Sequence, residues 1–168
     1  MGTDGEVTGI TREAGGVTGV ETSDGVRPAA VVVNAAGPWA PGVNELVGVD
    51  APLRHTEGPM LVLTGDRSGS LPFVFFEEGL YFREEGVSQV FAGKLATEYG
   101  ESERVNPSRA LSIPESMYDQ VDTTTRTYLK RLLDFDVTNE WNGLRLVTPD
   151  GRCIVDETRV DGYLLACG

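Results

Sequence analysis

The ten residues Val31 to Ala40 read VVVNAAGPWA. Three β-branched apolar residues run straight into an asparagine, two alanines, a glycine and Pro-Trp. A continuous apolar run suits a strand buried on both faces, as parallel or central strands are. In open α/β sheets, ligands sit beyond the carboxyl ends of such strands, where large side chains would block them. Ala35, Ala36 and Gly37 leave room there for a large planar or phosphorylated ligand to touch backbone. A tight strand-to-helix turn without a ligand would use the same residues, so the stretch alone leaves both readings open.

Upstream, residues 6–34 read as a β-meander. Val7, Ile10, Val17, Val20 and Val26 are separated by turn signals at Gly15-Gly16 and Ser23-Asp24-Gly25. Downstream, Pro38 to Val47 suits a short helix with proline in its first turn. Residues 52–93 read as a second set of strands, with Glu-Glu-Gly at 77–79 and 84–86 as hairpin turns. Residues 96–113 are polar and predict a loop. Met117, Val121, Tyr128, Leu132 and Phe135 recur at helical spacing, predicting a helix over 113–135 that starts near Ser112, Pro114 and Glu115. The threonines at 123–125 weaken that helix, because β-branched residues lose rotamer freedom there. The chain closes on strands punctuated by Pro149-Asp150-Gly151 and Val160-Asp161-Gly162.

Composition bounds the function. The formal net charge of −12 opposes nucleic-acid binding, which needs a basic face. Only two of the 14 basic residues, Lys94 and Lys130, are lysines, a pattern of proteins from salt-loaded cytoplasms as well as of ordinary acidic ones. The salt-adapted reading predicts lower stability at low salt, where self-repulsion is unscreened. No apolar run is long enough to span a bilayer as a helix, and the first residues lack a signal-peptide pattern. Cys153 and Cys167 lack metal-site spacing, and with His55 as the sole histidine no zinc cluster is expected. A reducing cytoplasm is the expected compartment.

Two stretches resemble a known family. GVTGVETSDGVRPAAVVVNAAGPWA resembles the segment of the D-amino-acid oxidase-like flavoenzymes in which a β-meander returns into the FAD domain. That superfamily includes glycine oxidase, sarcosine oxidase and dimethylglycine dehydrogenase. WNGLRLVTPDGRCIVDETRVDGYLLACG resembles the family's GLRP, TPDG and closing-strand segment. Two matches in the right order are more specific than either alone, and together they cover most of the chain, most weakly at 96–135.

The resemblance implies an α+β fold: pieces of an α/β FAD domain plus a mixed or antiparallel substrate-domain sheet with helix cover. It implies FAD-domain residues at 1–48, a substrate domain at 49–140 and a return to the FAD domain at 141–168. Family members begin with a strand–GxGxxG–helix unit, absent from this sequence, and continue past the closing strand into a glycine-rich turn and helix. The chain is therefore expected to be an interior segment of a longer flavoenzyme. It would be inactive alone and prone to self-association through exposed strand edges.

The resemblance also assigns roles. Arg145, in GLR, would pair with a substrate carboxylate through two parallel charge-assisted hydrogen bonds; Leu146 replaces the common proline after it. Tyr81 would line the substrate pocket or simply pack, with Arg83 and Lys94 as weaker candidates for its wall. Val7, Ala36, Gly37 and Gly168 would approach FAD through backbone atoms. Asn142, Gly143 and Leu144 stand where covalent members carry a flavin-linked cysteine, so noncovalent FAD is expected. Cys153 is expected to be a small buried residue. Trp141 and Asn142 are expected to cap the substrate cavity or to be packed. His55 is expected on the surface or partly packed rather than as a base.

The implied activity is two-electron oxidation of an amine or amino acid at its C–N bond, on a small-molecule substrate. A non-catalytic binding remnant and an FAD-linked hydroxy-acid dehydrogenase are the alternatives.

Overall fold

A computed structural model describes residues 5–66, 69–95 and 105–168. The expected loop at 96–113 falls partly outside them; its described part, from Val105, has no helix or strand. Among the described residues, eleven strands and two α-helices fall into two compact units. The first takes the described residues to His55, Val105 to Pro107, and Arg145–Gly168. The second takes Thr56 to Leu95 and Ser108–Leu144. The sequence-drawn divisions at 48/49 and 140/141 lie a few residues before those at 55/56 and 144/145.

In the first unit, β1 (Val7–Glu13), β2 (Gly16–Thr22) and β3 (Gly25–Pro28) form an antiparallel meander. Ala14 and Gly15, both at positive φ (50° and 95°), make the first turn, since a two-residue hairpin needs that handedness to match strand twist. Gly25, at φ 118°, follows the Ser23-Asp24 turn. A second sheet holds β10 (Ile154–Glu157), β11 (Tyr163–Cys167) and β4 (Val32–Asn34), in that order. β4 runs parallel to β11, with Val32 opposite Tyr163 and Asn34 opposite Leu165. The core of the unit gathers Val17, Ala40, Leu53, Val160, Tyr163, Leu165 and Cys167.

The valine run departs from its sequence reading. Val31 and Val33 are 56% and 54% exposed, and the buried residue of the strand is Asn34. β4 lies at an edge of its three-stranded sheet. One face meets the core through Val32 and Tyr163. Cross-strand register puts Val33, Leu164, Ala166 and Val155 together on the other, which no described residue of the unit's core covers. Three consecutive apolar residues thus do not mean two buried faces here.

The second unit is one sheet of order β6-β7-β8-β5-β9, with a helix on one face. The strands are β5 (Arg54–Thr64), β6 (Val74–Phe75), β7 (Leu80–Glu85), β8 (Gln89–Lys94) and β9 (Asp136–Val147). β5 brings the chain in from the first unit, and β9 leads it back. The first Glu-Glu-Gly triad lies in a hairpin turn as expected, whereas in the second Glu84 and Glu85 still pair within β7 and only Gly86 enters the turn; Gly79 and Gly86 are both at positive φ. Leu61, Leu63, Leu80, Phe82, Val90 and Ala92 point to the helix side and pack with Met117, Val121 and Leu132. Burying each such aliphatic side chain stabilises by roughly 1.5–3 kcal/mol.

α1 (Ala40–Glu45) follows a 3-10 turn, Gly37–Trp39, in the first unit. α2 (Glu115–Thr127) starts after extended Pro114 and buries Met117, Val121 and Thr125 along one stripe. It ends earlier than the apolar spacing predicts. The Thr125 hydroxyl bonds back to the Val121 and Asp122 carbonyls, and Thr127 to that of Thr123. Such back-bonding competes with the helix, and the β-branched run adds to the cost. A 3-10 turn, Lys130–Leu132, then sets Leu132 into the core before β9. No helix among the described residues is long and apolar enough to cross a membrane.

Candidate functional site

The turn after β4 is shaped by one buried carboxamide. Asn34 Oδ1 accepts the Ala36 N–H at 3.2 Å, turning the chain as soon as the strand ends. Asn34 Nδ2 donates to the Ala40 carbonyl at 2.9 Å and to Asn44 Oδ1 at 2.8 Å. One side chain therefore ties both ends of the 35–40 segment together. Asn44 Oδ1 accepts a second hydrogen bond, from the Tyr163 hydroxyl at 2.8 Å. Asn34, Asn44 and Tyr163 are 2%, 2% and 0% exposed. Asn44 Nδ2 is buried without a hydrogen-bond partner. Burial pushes the Tyr163 phenol up to about 12 and raises the Cys167 thiol.

Gly37 sits at φ 52°, with open space where a Cβ would be. Ala35 and Ala36 add only methyl groups. Because β4 and β11 are parallel, the backbone leaves Asn34 and Cys167 at the same end of the sheet. Gly168 has φ 123°, and a Cβ there would lie 2.9 Å from Thr148 Cγ2 and 3.1 Å from Cys153 Cα. Only glycine lets the Thr148–Gly151 turn pack so closely. The Thr148 hydroxyl holds that turn by donating to the Arg152 carbonyl at 2.7 Å. Val7, the remaining cofactor candidate, opens β1 and is 40% exposed. Arg145 lies on β9 and is half-buried.

In the second unit, Tyr81 lies on the face of the sheet opposite α2. Its ring crosses directly over Gly93, its cross-strand partner, where any Cβ would collide with the phenol. Phe73 stacks on it at 5.5 Å. Arg83 pairs with Glu85 at 3.0 Å and lies over the Phe91 ring. Lys94 Nζ donates to Gln120 Oε1 at 2.9 Å. Trp141 meets Phe91 edge-on and stays 43% exposed. Asn142 Nδ2 donates to Glu57 Oε2 and to the Ser112 carbonyl, each at 2.8 Å.

Two residues differ from their sequence readings. His55 is buried at 6% exposure, with Nε2 2.7 Å from the Pro38 carbonyl and Nδ1 accepting the Val105 N–H at 3.0 Å. A carbonyl only accepts and an amide N–H only donates, so the ring is the neutral Nε2–H tautomer. Cys153 is exposed rather than buried, because it precedes β10 outside the core; both cysteines are free. The sequence reading missed the roles of Asn34, Asn44 and Tyr163. An asparagine closing an apolar run is a turn signal, but nothing local marks Asn44 or Tyr163 as its partners.

A parallel strand pair, one strand of which runs into a small-residue turn, is the arrangement with which α/β proteins receive a nucleotide-type cofactor. The model of a family described as FAD dependent oxidoreductase matches residues 3–168, and the chain belongs to that family. It is 27% identical over 146 residues to glycine oxidase of Pseudomonas putida, covering 87% of this chain and 38% of that protein. It is 27% identical over 165 residues to sarcosine oxidase subunit beta of Rhizobium meliloti, covering 97% and 38%. The chain thus spans about two fifths of the length of these relatives. The crystal structure of L-proline dehydrogenase from P. horikoshii matches with a TM-score of 0.83 at 22% identity, covering 98% of this chain and 44% of that one. Glycine oxidase from Geobacillus kaustophilus matches at 0.76 and 20%, covering 98% and 42%. At these identities the structural likeness shows the fold, which is α+β as the sequence resemblance implied.

FAD is the family's cofactor. The residues present fit it where they would meet it. The turn after β4 offers backbone without side-chain obstruction, and the space beside Gly37 is open.

Proposed function

We propose that the protein of which this chain forms part is an FAD-dependent oxidoreductase that oxidises a small amine or amino acid at its C–N bond. The observation that carries the reading is the family match over residues 3–168. The parallel β4–β11 pair with its unobstructed turn supports it. The relatives' names point to amino acids and amines rather than hydroxy acids: glycine oxidase, sarcosine oxidase subunit beta, D-amino acid dehydrogenase.

Bound noncovalently, FAD would accept two electrons. The first unit would belong to the FAD-binding domain, as proposed for 1–48 and 141–168. The second would belong to the substrate domain of 49–140. Val7, Ala36, Gly37 and Gly168 would hold the cofactor through backbone atoms. Arg145 would fix the substrate carboxylate with its planar guanidinium, which presents two parallel donors to two oxygens. Tyr81, its ring already held by Phe73 and Gly93, would bound the substrate. Holding the substrate in one orientation turns a bimolecular encounter into a near-unimolecular step. The oxidised product would be an imine, hydrolysed by water.

The two free cysteines support a reducing compartment, and the cytoplasm is the proposed setting. Self-association is proposed through β4 and β10, the edges of their sheet, where Val31, Val33 and Val155 are exposed.

The test is anaerobic mixing of the flavin-loaded protein with a panel of amino acids, N-methylated amino acids and 2-hydroxy acids, following the visible flavin band. Bleaching by amines or amino acids is expected. Bleaching by hydroxy acids alone would replace this reading with the dehydrogenase alternative. No bleaching by any of them would favour a binding protein.

A further inference from the structure

We propose that the buried Asn34–Asn44–Tyr163 network positions the Ala35–Gly37 turn for the cofactor, so that flavin affinity is set by side chains that do not themselves touch it. The inference rests on the reading above that FAD meets this turn.

The polarity of the network leaves it one arrangement. Asn34 spends both Nδ2 hydrogens, on the Ala40 carbonyl and Asn44 Oδ1, and its own Oδ1 on the Ala36 N–H. Asn44 Oδ1 spends both lone pairs, on Asn34 Nδ2 and the Tyr163 hydroxyl. Flipping the Asn34 amide would set its NH₂ against the Ala36 N–H and its oxygen against the Ala40 carbonyl. All three side chains are excluded from water, so a broken bond is not replaced by a solvent one, and flipping Asn34 leaves the Ala36 N–H and the Ala40 carbonyl unpaired in addition to Asn44 Nδ2. The turn consequently has one low-energy shape.

That shape joins three pieces of chain. Tyr163 opens β11, Asn34 closes the parallel β4, and Asn44 comes from α1. The network thus ties the segment between β4 and α1 to the strand beside it. Asn44 Nδ2, buried and without a partner, marks the cost of the arrangement. An apolar trio would avoid that cost, but it could not hold the Ala36 N–H and the Ala40 carbonyl at once. A turn already held in its bound shape does not have to be ordered when the ligand arrives, and preorganisation is read as affinity.

The test compares Asn34→Ala and Tyr163→Phe with Val17→Ala, a core truncation in the same unit that removes none of the network's hydrogen bonds. FAD is titrated into each apoprotein and followed by flavin fluorescence. Amide exchange at Ala36 is measured without FAD. Asn34→Ala is expected to weaken FAD binding about ten-fold or more and to speed Ala36 exchange by a similar factor. Each factor of ten corresponds to about 1.4 kcal/mol. Tyr163→Phe, nearly isosteric, is expected to give about a three-fold change in both. Val17→Ala is expected to lower thermal stability and leave FAD affinity within about two-fold, because it removes packing but none of the hydrogen bonds that hold the turn.

Equal losses in all three variants would mean that general stability, not the turn, sets affinity, and would overturn the proposal. So would unchanged affinity in Asn34→Ala and Tyr163→Phe. A wild-type protein that takes up no FAD would instead overturn the cofactor reading on which the proposal rests.

Discussion

Tyr163 makes a sharp test because it is fully buried and its phenol is pushed up from 10.0 to about 12 by that burial. The perturbation is Tyr163→Phe, measured across alkaline pH. In the unfolded chain the phenol loses its proton near its ordinary value; in the folded chain it holds the proton for about two further units. The raised folded value therefore contributes stability that is fully present below about pH 10 and is lost as pH rises through about 12. At about 1.36 kcal/mol per unit, the wild type should lose about 2 to 3 kcal/mol over that window. The variant has no such proton. Near neutral pH it should be weaker by about 1 kcal/mol, for the lost hydrogen bond to Asn44. Above about pH 10 the gap should close, and by about pH 12 the order should reverse. Cys167, also raised by burial, is present in both proteins, and its charge adds to the upward push on the wild-type phenol. The assay is urea unfolding at stepped pH in a Trp141→Phe background, followed by the fluorescence of Trp39, which shares the unit with Tyr163. A gap that stays constant with pH would refute the buried phenol.

Arg145→Ala in the flavin-loaded enzyme should raise KM for carboxylated substrates about 10- to 100-fold while sparing uncharged amines; steady-state kinetics decides, and an unchanged KM removes Arg145 from the site. Gly162→Ala should cost about 2 kcal/mol or more in thermal denaturation, because Gly162 has φ 76° and any Cβ would run into the Ala30 carbonyl. Asn142→Ala should cost about 1–3 kcal/mol and speed amide exchange at the start of α2, since it takes one donor from Glu57 Oε2 and from the Ser112 carbonyl together. The single histidine gives a clean nitrogen spectrum: long-range proton–nitrogen correlation should show His55 as the Nε2–H tautomer, and a Nδ1–H signal would contradict its bonds to Pro38 and Val105.

Much of the molecule follows from short stretches of sequence alone. Turn chemistry is local, so Ser23-Asp24-Gly25, the two Glu-Glu-Gly triads and Pro149-Asp150-Gly151 mark where the chain reverses whatever surrounds them. Small residues after the valine run predict an unobstructed strand end, and a Cβ placed on Gly37 would meet nothing within 4 Å. The start of α2 at Pro114-Glu115 is equally local, as is the family pattern, which lives in short motifs.

Burial and pairing were decided only by the tertiary structure. Val31 and Val33 read as core, yet lie on a face that depends on what stands beside an edge strand. Asn34 reads as a polar interruption, yet is the buried end of the run, because partners 10 residues away at Asn44 and, through it, far along the chain at Tyr163 satisfy it. His55 reads as a surface or partly packed residue until Pro38 and Val105 are brought to its two nitrogens. The expected helix to Phe135 gives way after Thr127, as threonine back-bonding and the placement of Leu132 in the core outweigh the apolar spacing. A turn needs only its own four residues to choose a conformation. A buried polar group needs partners from elsewhere in the chain, and folding alone brings them to it.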